Sequence, residues 1–155
     1  GPGLVYVQGG TFVMGNTEQD VMYEYHNIPR RATVSSYYMD ETEIANVHYR
    51  EYLYWMNRVF GTDFPDVVKK ALPDTLVWRD ELAYNEPYVE YYFRHPAYDF
   101  YPVVGVNWLQ ATDFASWRSD RVNERILINK GVLAENPSQV GSDNFNTDAY
   151  LVGQY

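Results

Sequence analysis

Sixteen tyrosines, seven phenylalanines and four tryptophans in 155 residues leave this chain few ways to fold. Each ring buries roughly 150–250 Å² when packed, and a buried tyrosine also needs a partner for its hydroxyl. Disordered chains are poor in such residues, so the sequence must form a packed body. The rings crowd into residues 74–101, a stretch of weak periodicity holding Trp78, Tyr84, Tyr88, Tyr91, Tyr92 and Tyr98. A long loop in a compact domain is functional or packs on a surface. These six residues are therefore a candidate surface for binding protein or sugar. Aromatic packing over a loop-rich domain explains the same composition.

Charge narrows the partners. Twelve basic and 21 acidic side chains give a net charge of −9. That field repels nucleic acid and anionic lipid headgroups, so neither is an expected partner. Cysteine is absent, which excludes disulfides, thiolate metal sites and cysteine nucleophiles within these residues. No apolar run approaches the roughly 20 residues of a membrane-spanning helix. Gly1-Pro2 reads as a protease-cleavage scar, and residues 3–155 as one portion of a domain.

The expected elements follow from local pattern. Leu4–Val7 and Thr11–Met14 read as strands around a Gly9-Gly10 turn, residues 16–30 as polar and irregular, and residues 31–39 as one alternating strand. Gly9, Gly10 and Gly15 suit turns that need positive φ. Asn46 is the expected N-cap of a helix carrying Tyr49, Leu53, Met56 and Phe60, with Gly61 as its stop. A short helix covers 65–71. Val103, Val104 and Val106 read as a strand. Asn107 and Gln110 fit a capping box opening a long helix. On it Trp108, Ala111, Thr112, Ala115, Val122 and Ile126 form an apolar stripe that Asp113, Arg118, Asp120, Arg121, Glu124 and Arg125 largely avoid. Short strands, two main helices and much irregular chain define an α+β class.

Chemistry-bearing residues are sparse. His26, His48 and His95 share no metal-ligand spacing. Asp40, Glu41 and Glu43 could serve acid–base work, but acids just before a helix also suit its dipole. Asp143, Asn144, Asn146 and Asp148 offer oxygen ligands of the kind calcium takes, making calcium a possible cofactor. The register is not that of an EF-hand, whose glycine position holds Ala149. No G-x-S-x-G elbow or phosphate-cradling loop is present.

Three segments together carry a family resemblance. Val5-Tyr6-Val7-Gln8-Gly9-Gly10-Thr11-Phe12-Val13-Met14-Gly15 resembles the opening motif of formylglycine-generating-enzyme (sulfatase-modifying factor) domains. Tyr38-Met39-Asp40-Glu41-Thr42-Glu43-Ile44-Ala45-Asn46 and Tyr101-Pro102-Val103-Val104-Gly105-Val106-Asn107-Trp108-Leu109-Gln110-Ala111, ending in Ser116-Trp117, resemble two further ones. The resemblance implies the N-terminal portion of that fold, which is related to C-type lectins. It also implies calcium as a structural ion in family members. Active enzymes of the family use a copper-binding cysteine pair, which this chain lacks.

Within the family, the segments Glu18–Glu24, Tyr38–Glu43, Tyr49–Trp55, Leu72–Arg79, Ala83–Glu90 and Phe145–Tyr150 are most similar to gliding-motility lipoproteins of Bacteroidetes. That likeness implies a structural, non-catalytic outer-membrane lipoprotein facing the periplasm or cell envelope. It would be held by an upstream lipid anchor and serve gliding and type IX secretion. Its partners would be sister lipoproteins and ring subunits. Two alternatives stay open: an oxidase making formylglycine with cysteines beyond these residues, and a glycan-binding module. The segment is also expected to pair with a missing half of the domain or to swap elements with a neighbour.

Overall fold

The computed structural model describes residues 3–15 and 28–154, so the Glu18–Glu24 segment and His26 lie outside the described residues. The chain divides into two compact units, Gly1–Thr42 and Glu43–Tyr155.

The first unit is an antiparallel ribbon. Strand β1 (Leu4–Val7) pairs with β4 (Tyr37–Asp40), and β2 (Gly10–Met14) pairs with β3 (Arg30–Val34). Stepping three residues on from Val7↔Tyr37 gives Gly10↔Val34, so both ladders share one register. The Gly9-Gly10 pair is therefore not a turn, and residues 31–39 are not one strand. The ribbon is interrupted at Gln8-Gly9 and at Ser35-Ser36, and it resumes in the same direction. Gly9 donates its N–H to Ser36 Oγ at 2.9 Å. A Cβ on Gly9 would lie 2.6 Å from Ser36 N and Val34 O. Closeness of approach, rather than positive φ, requires glycine there. At Gly15 the expectation of positive φ holds, with φ at 120°. Cross-strand pairs support the ladders: Thr11 and Thr33 share a 2.9 Å hydroxyl bond, and the Tyr6 and Tyr38 rings meet edge-on at 5.5 Å.

The second unit contains α1 (Asn46–Phe60), α2 (Pro65–Ala71), α3 (Glu86–Tyr91), α4 (Trp108–Asn129) and α5 (Thr147–Leu151), with 3-10 turns at Thr75–Trp78 and Pro96–Tyr98. Helix α1 buries Tyr49, Tyr52, Met56 and Val59, one helical stripe, with Leu53 and Phe60 partly buried beside it. Tyr49, Tyr52 and Met56 meet Ala71 of α2 and Phe114 of α4 in the core. Tyr49 stacks on Phe114 at 5.6 Å, while Tyr52 meets the same ring edge-on at 5.6 Å. The Tyr49 hydroxyl donates to the Ala71 carbonyl at 2.8 Å, so its burial leaves no orphan donor. Helix α2 begins at Pro65, where the missing N–H costs nothing.

Helix α4 starts as expected. Asn107 Oδ1 accepts from Gln110 N at 3.0 Å, and Gln110 Oε1 accepts from Asn107 N at 2.9 Å. The Gln110 amide also donates to the Lys70 and Leu72 carbonyls, each at 2.8 Å, tying α4 to the end of α2. The buried face differs from the expected stripe. Phe114 and Trp117 face the core, whereas Trp108 is 76% exposed and Ala111, Thr112, Ala115 and Ile126 are also exposed. Arg121 and Glu124 turn inward instead. The Arg121 guanidinium lies 4.6 Å from the centre of the Trp55 ring and bonds Gln139 Oε1 at 2.9 Å and Glu124 Oε2 at 2.9 Å. Gln139 Oε1 accepts from Phe145 N at 3.1 Å, and Phe145 is completely buried. A polar cluster thus seats residues 139–147 on the body.

The strand expected at Val103–Val106 does not form. Val103 N bonds Ile44 O at 2.8 Å and Pro102 bridges Ala45, but Gly105 takes φ +79° and turns the chain. Asp74 N donates to Gly105 O at 2.8 Å, and a Cβ on Gly105 would lie 2.0 Å from Asp74 O. Gly105→Ala therefore combines left-handed strain with a backbone clash. Its expected cost is about 2–4 kcal/mol of unfolding free energy, read from the urea midpoint at unchanged slope.

Candidate functional site

The aromatic stretch is organised by the start of α1. Asn46 is the first residue of that helix rather than its cap; Ala45 occupies the cap position and its methyl group can accept no hydrogen bond. The free N–H groups of the first turn go instead to a distant loop. Asn46 N donates to Tyr101 O and Val47 N to Asp99 O, both at 2.9 Å. The Asn46 side chain, 0% exposed, donates to Tyr98 O at 2.9 Å and Tyr92 O at 3.2 Å. One turn on, Arg50 donates to Phe93 O at 2.8 Å and pairs with the Asp99 carboxylate. Residues 92–101 therefore wrap the helix end, and their carbonyls do the work of a cap. No acid stands in the first turn of α1, so the dipole role expected of Asp40, Glu41 and Glu43 is not realised within it. Asp40 pairs with Leu4, and Glu41 N bonds Gly3 O at 3.0 Å.

Four of the six candidate aromatics meet on this wrap. Tyr92 is buried, and its hydroxyl donates to Pro102 O at 2.8 Å. Its ring lies 4.8 Å from Trp78 and 5.3 Å from Tyr98. Tyr88 touches Trp78 at 5.4 Å and Tyr98 at 6.1 Å. Tyr101, which the sequence pattern did not single out, closes the cluster at 5.5 Å from Tyr98. Its place in the same ring-rich stretch, immediately before Pro102, was the available signal. Tyr84 and Tyr91 do not join. Tyr84 is 99% exposed, and Tyr91 is half exposed with its ring edge-on to His95 at 6.5 Å. Most of the candidate rings thus form a partly exposed aromatic cluster around the buried Tyr92, with Tyr88 37% and Tyr101 54% exposed and Tyr84 standing outside it.

The remaining candidates have local roles. His95 Nδ1 accepts from Ala97 N at 3.1 Å and caps a 3-10 turn. Asn146 Oδ1 accepts from Asp148 N and Ala149 N and caps α5. The Asn144 amide donates to Gly141 O at 2.6 Å. Asp143 N and O both pair with Val140 through the backbone. Among the described residues no group of three or more His, Asp or Glu side chains is placed to hold a metal ion. Copper held by a cysteine pair does not fit residues that include no thiol.

Electrostatics point the same way. Burial raises the phenols of Tyr49 and Tyr52, that of Tyr52 to about 12, with Asp113 adding to both. Burial also raises Tyr92, helped by Glu43 and Tyr101. Such phenols stay protonated near neutrality and supply no base there. Their folded values lie above the ordinary 10. Their contribution to stability is therefore complete below pH 10 and is lost as pH rises toward 12 and beyond.

Two outcomes follow. Absorbance at 295 nm should show a delayed tyrosine group that ionises only as near-UV circular dichroism collapses. Tyr52→Phe should shrink the delayed group. Asn46→Ala should cost about 2–3 kcal/mol, since two main-chain carbonyls lose their donor. Asn46→Asp, which puts an acceptor against those carbonyls, should cost more. Hydrogen exchange at the amides of residues 92–101 checks both variants.

The family model described as sulfatase-modifying factor enzyme 1-like domain matches residues 1–135. No curated protein and no solved structure matches the chain. The matched span takes in the ribbon, the aromatic wrap and all of α4, so this chain belongs to the sulfatase-modifying factor enzyme 1-like domain family.

Proposed function

We propose that the chain is a non-catalytic structural component of the gliding-motility and type IX secretion machinery of Bacteroidetes. It would be an outer-membrane lipoprotein of the GldJ kind, with the sister protein GldK next in likeness. The observation that carries the non-catalytic part is the absence of cysteine, because the family's oxidase chemistry runs through a thiol pair. Two of the segments behind the finer likeness, Leu72–Arg79 and Ala83–Glu90, contribute Trp78 and Tyr88 to the aromatic cluster. Asn46 and Arg50 spend their donors on the wrap, which favours a positioning role over turnover.

The test is recovery of the tagged, full-length native protein from solubilised envelopes. Sister lipoproteins or ring subunits should co-purify at fixed stoichiometry. Envelopes that yield the protein alone would overturn the proposal. So would conversion of a cysteine to an aldehyde in a sulfatase-derived peptide by the purified protein.

A further inference from the structure

Between Trp78 and α3 the chain makes a projecting loop, closed at its base. Arg79 Nε donates to Glu86 Oε2 at 3.1 Å, and its second nitrogen bonds Oε1 of the same carboxylate. This two-pronged contact raises the Arg79 pKa and lowers that of Glu86, in each case first through the hydrogen bond. Below the base, Trp78 is held by Tyr92 and Tyr88. Above it, the loop shows two large side chains to water. Leu82 is fully exposed and Tyr84 is 99% exposed. Leu82 also takes φ +67°, the single non-glycine residue of positive φ among those described. That conformation is costly for leucine and is ordinarily given to glycine or asparagine.

Among the described residues, the fold of the unit buries neither side chain. An exposed leucine in a left-handed conformation gains nothing for stability. Two solvated apolar side chains on a stapled loop have the form of binding anchors held ready before contact. Charge defines what they fit. Arg79 and Glu86 neutralise each other, while Asp80 and Glu81, beside Leu82, have no ion pair among the described residues.

We infer that residues 79–86 form a docking finger whose Leu82 and Tyr84 enter an apolar pocket with a basic rim on a protein partner. The identity of that partner as a secretion subunit rests on the function proposed above; the finger itself does not.

The experiment uses the full-length native protein in envelopes. Leu82→Gly with Tyr84→Ala should reduce partner recovery at least tenfold. Its melting temperature should be unchanged or raised, since glycine accepts the positive φ. Asp80→Asn with Glu81→Gln should weaken recovery several-fold and flatten its dependence on salt. Recovery unaffected by both double variants would overturn the finger while leaving the secretion role standing. If the wild type recovers no secretion subunit, that role fails, and a photo-crosslinker at position 84 decides the finger alone. A discrete protein adduct, lost with Asp80→Asn and Glu81→Gln, supports it. The lack of an adduct, or one indifferent to those charges, overturns it.

Discussion

The second unit depends on how one helix end is satisfied. An α-helix leaves its first N–H groups without partners, and burying them unpaired costs more than a hydrogen bond returns. In α1 no side chain caps the end. The carbonyls of Asp99 and Tyr101 accept from the helix backbone, and the side chains of Asn46 and Arg50 collect those of Tyr92, Phe93 and Tyr98. One set of bonds therefore does two things. It completes α1, whose Tyr49 and Tyr52 build the main core, and it fixes a loop that holds the aromatic cluster.

The two ring clusters illustrate different uses of tyrosine. In the main core, rings fill space around Phe114, and the Tyr49 hydroxyl reaches a carbonyl at the end of α2. In the wrap, Tyr92 reaches the Pro102 carbonyl, so its ring lies among neighbours while its tip ties two parts of one loop. A phenylalanine could fill either volume but would leave those carbonyls without their donor.

How much of this was legible in the sequence depended on whether the signal was local. The Asn107–Gln110 box and the short helix over 65–71 are local and match the structure, and the α1 stripe matches in part: Tyr49 and Met56 are buried, but Tyr52 and Val59 lie deeper than the expected Leu53 and Phe60. Asn46 was misread because its type suits a cap, and only a partner some 50 residues away reveals its other use. The α4 stripe was misread because charge was equated with exposure. Arg121 and Glu124 point inward, where Trp55, Gln139 and each other satisfy them, and Trp108 is left outside. The aromatic stretch announced itself by composition, yet nothing in its spacing separated the packed Tyr88 and Tyr92 from the exposed Tyr84.

Capping by carbonyls also bears on how such a loop can change over generations. A serine or aspartate cap is lost by a single substitution, whereas every residue type carries a carbonyl. The identities at 98, 99 and 101 can therefore drift with little effect on the helix end, provided the ring and carboxylate contacts are replaced. The number of residues cannot. One insertion or deletion between Tyr92 and Pro102 would shift the accepting oxygens out of step with Asn46 and Val47. Across descendants of this sequence, the wrap would be recognisable by its constant length more than by its letters.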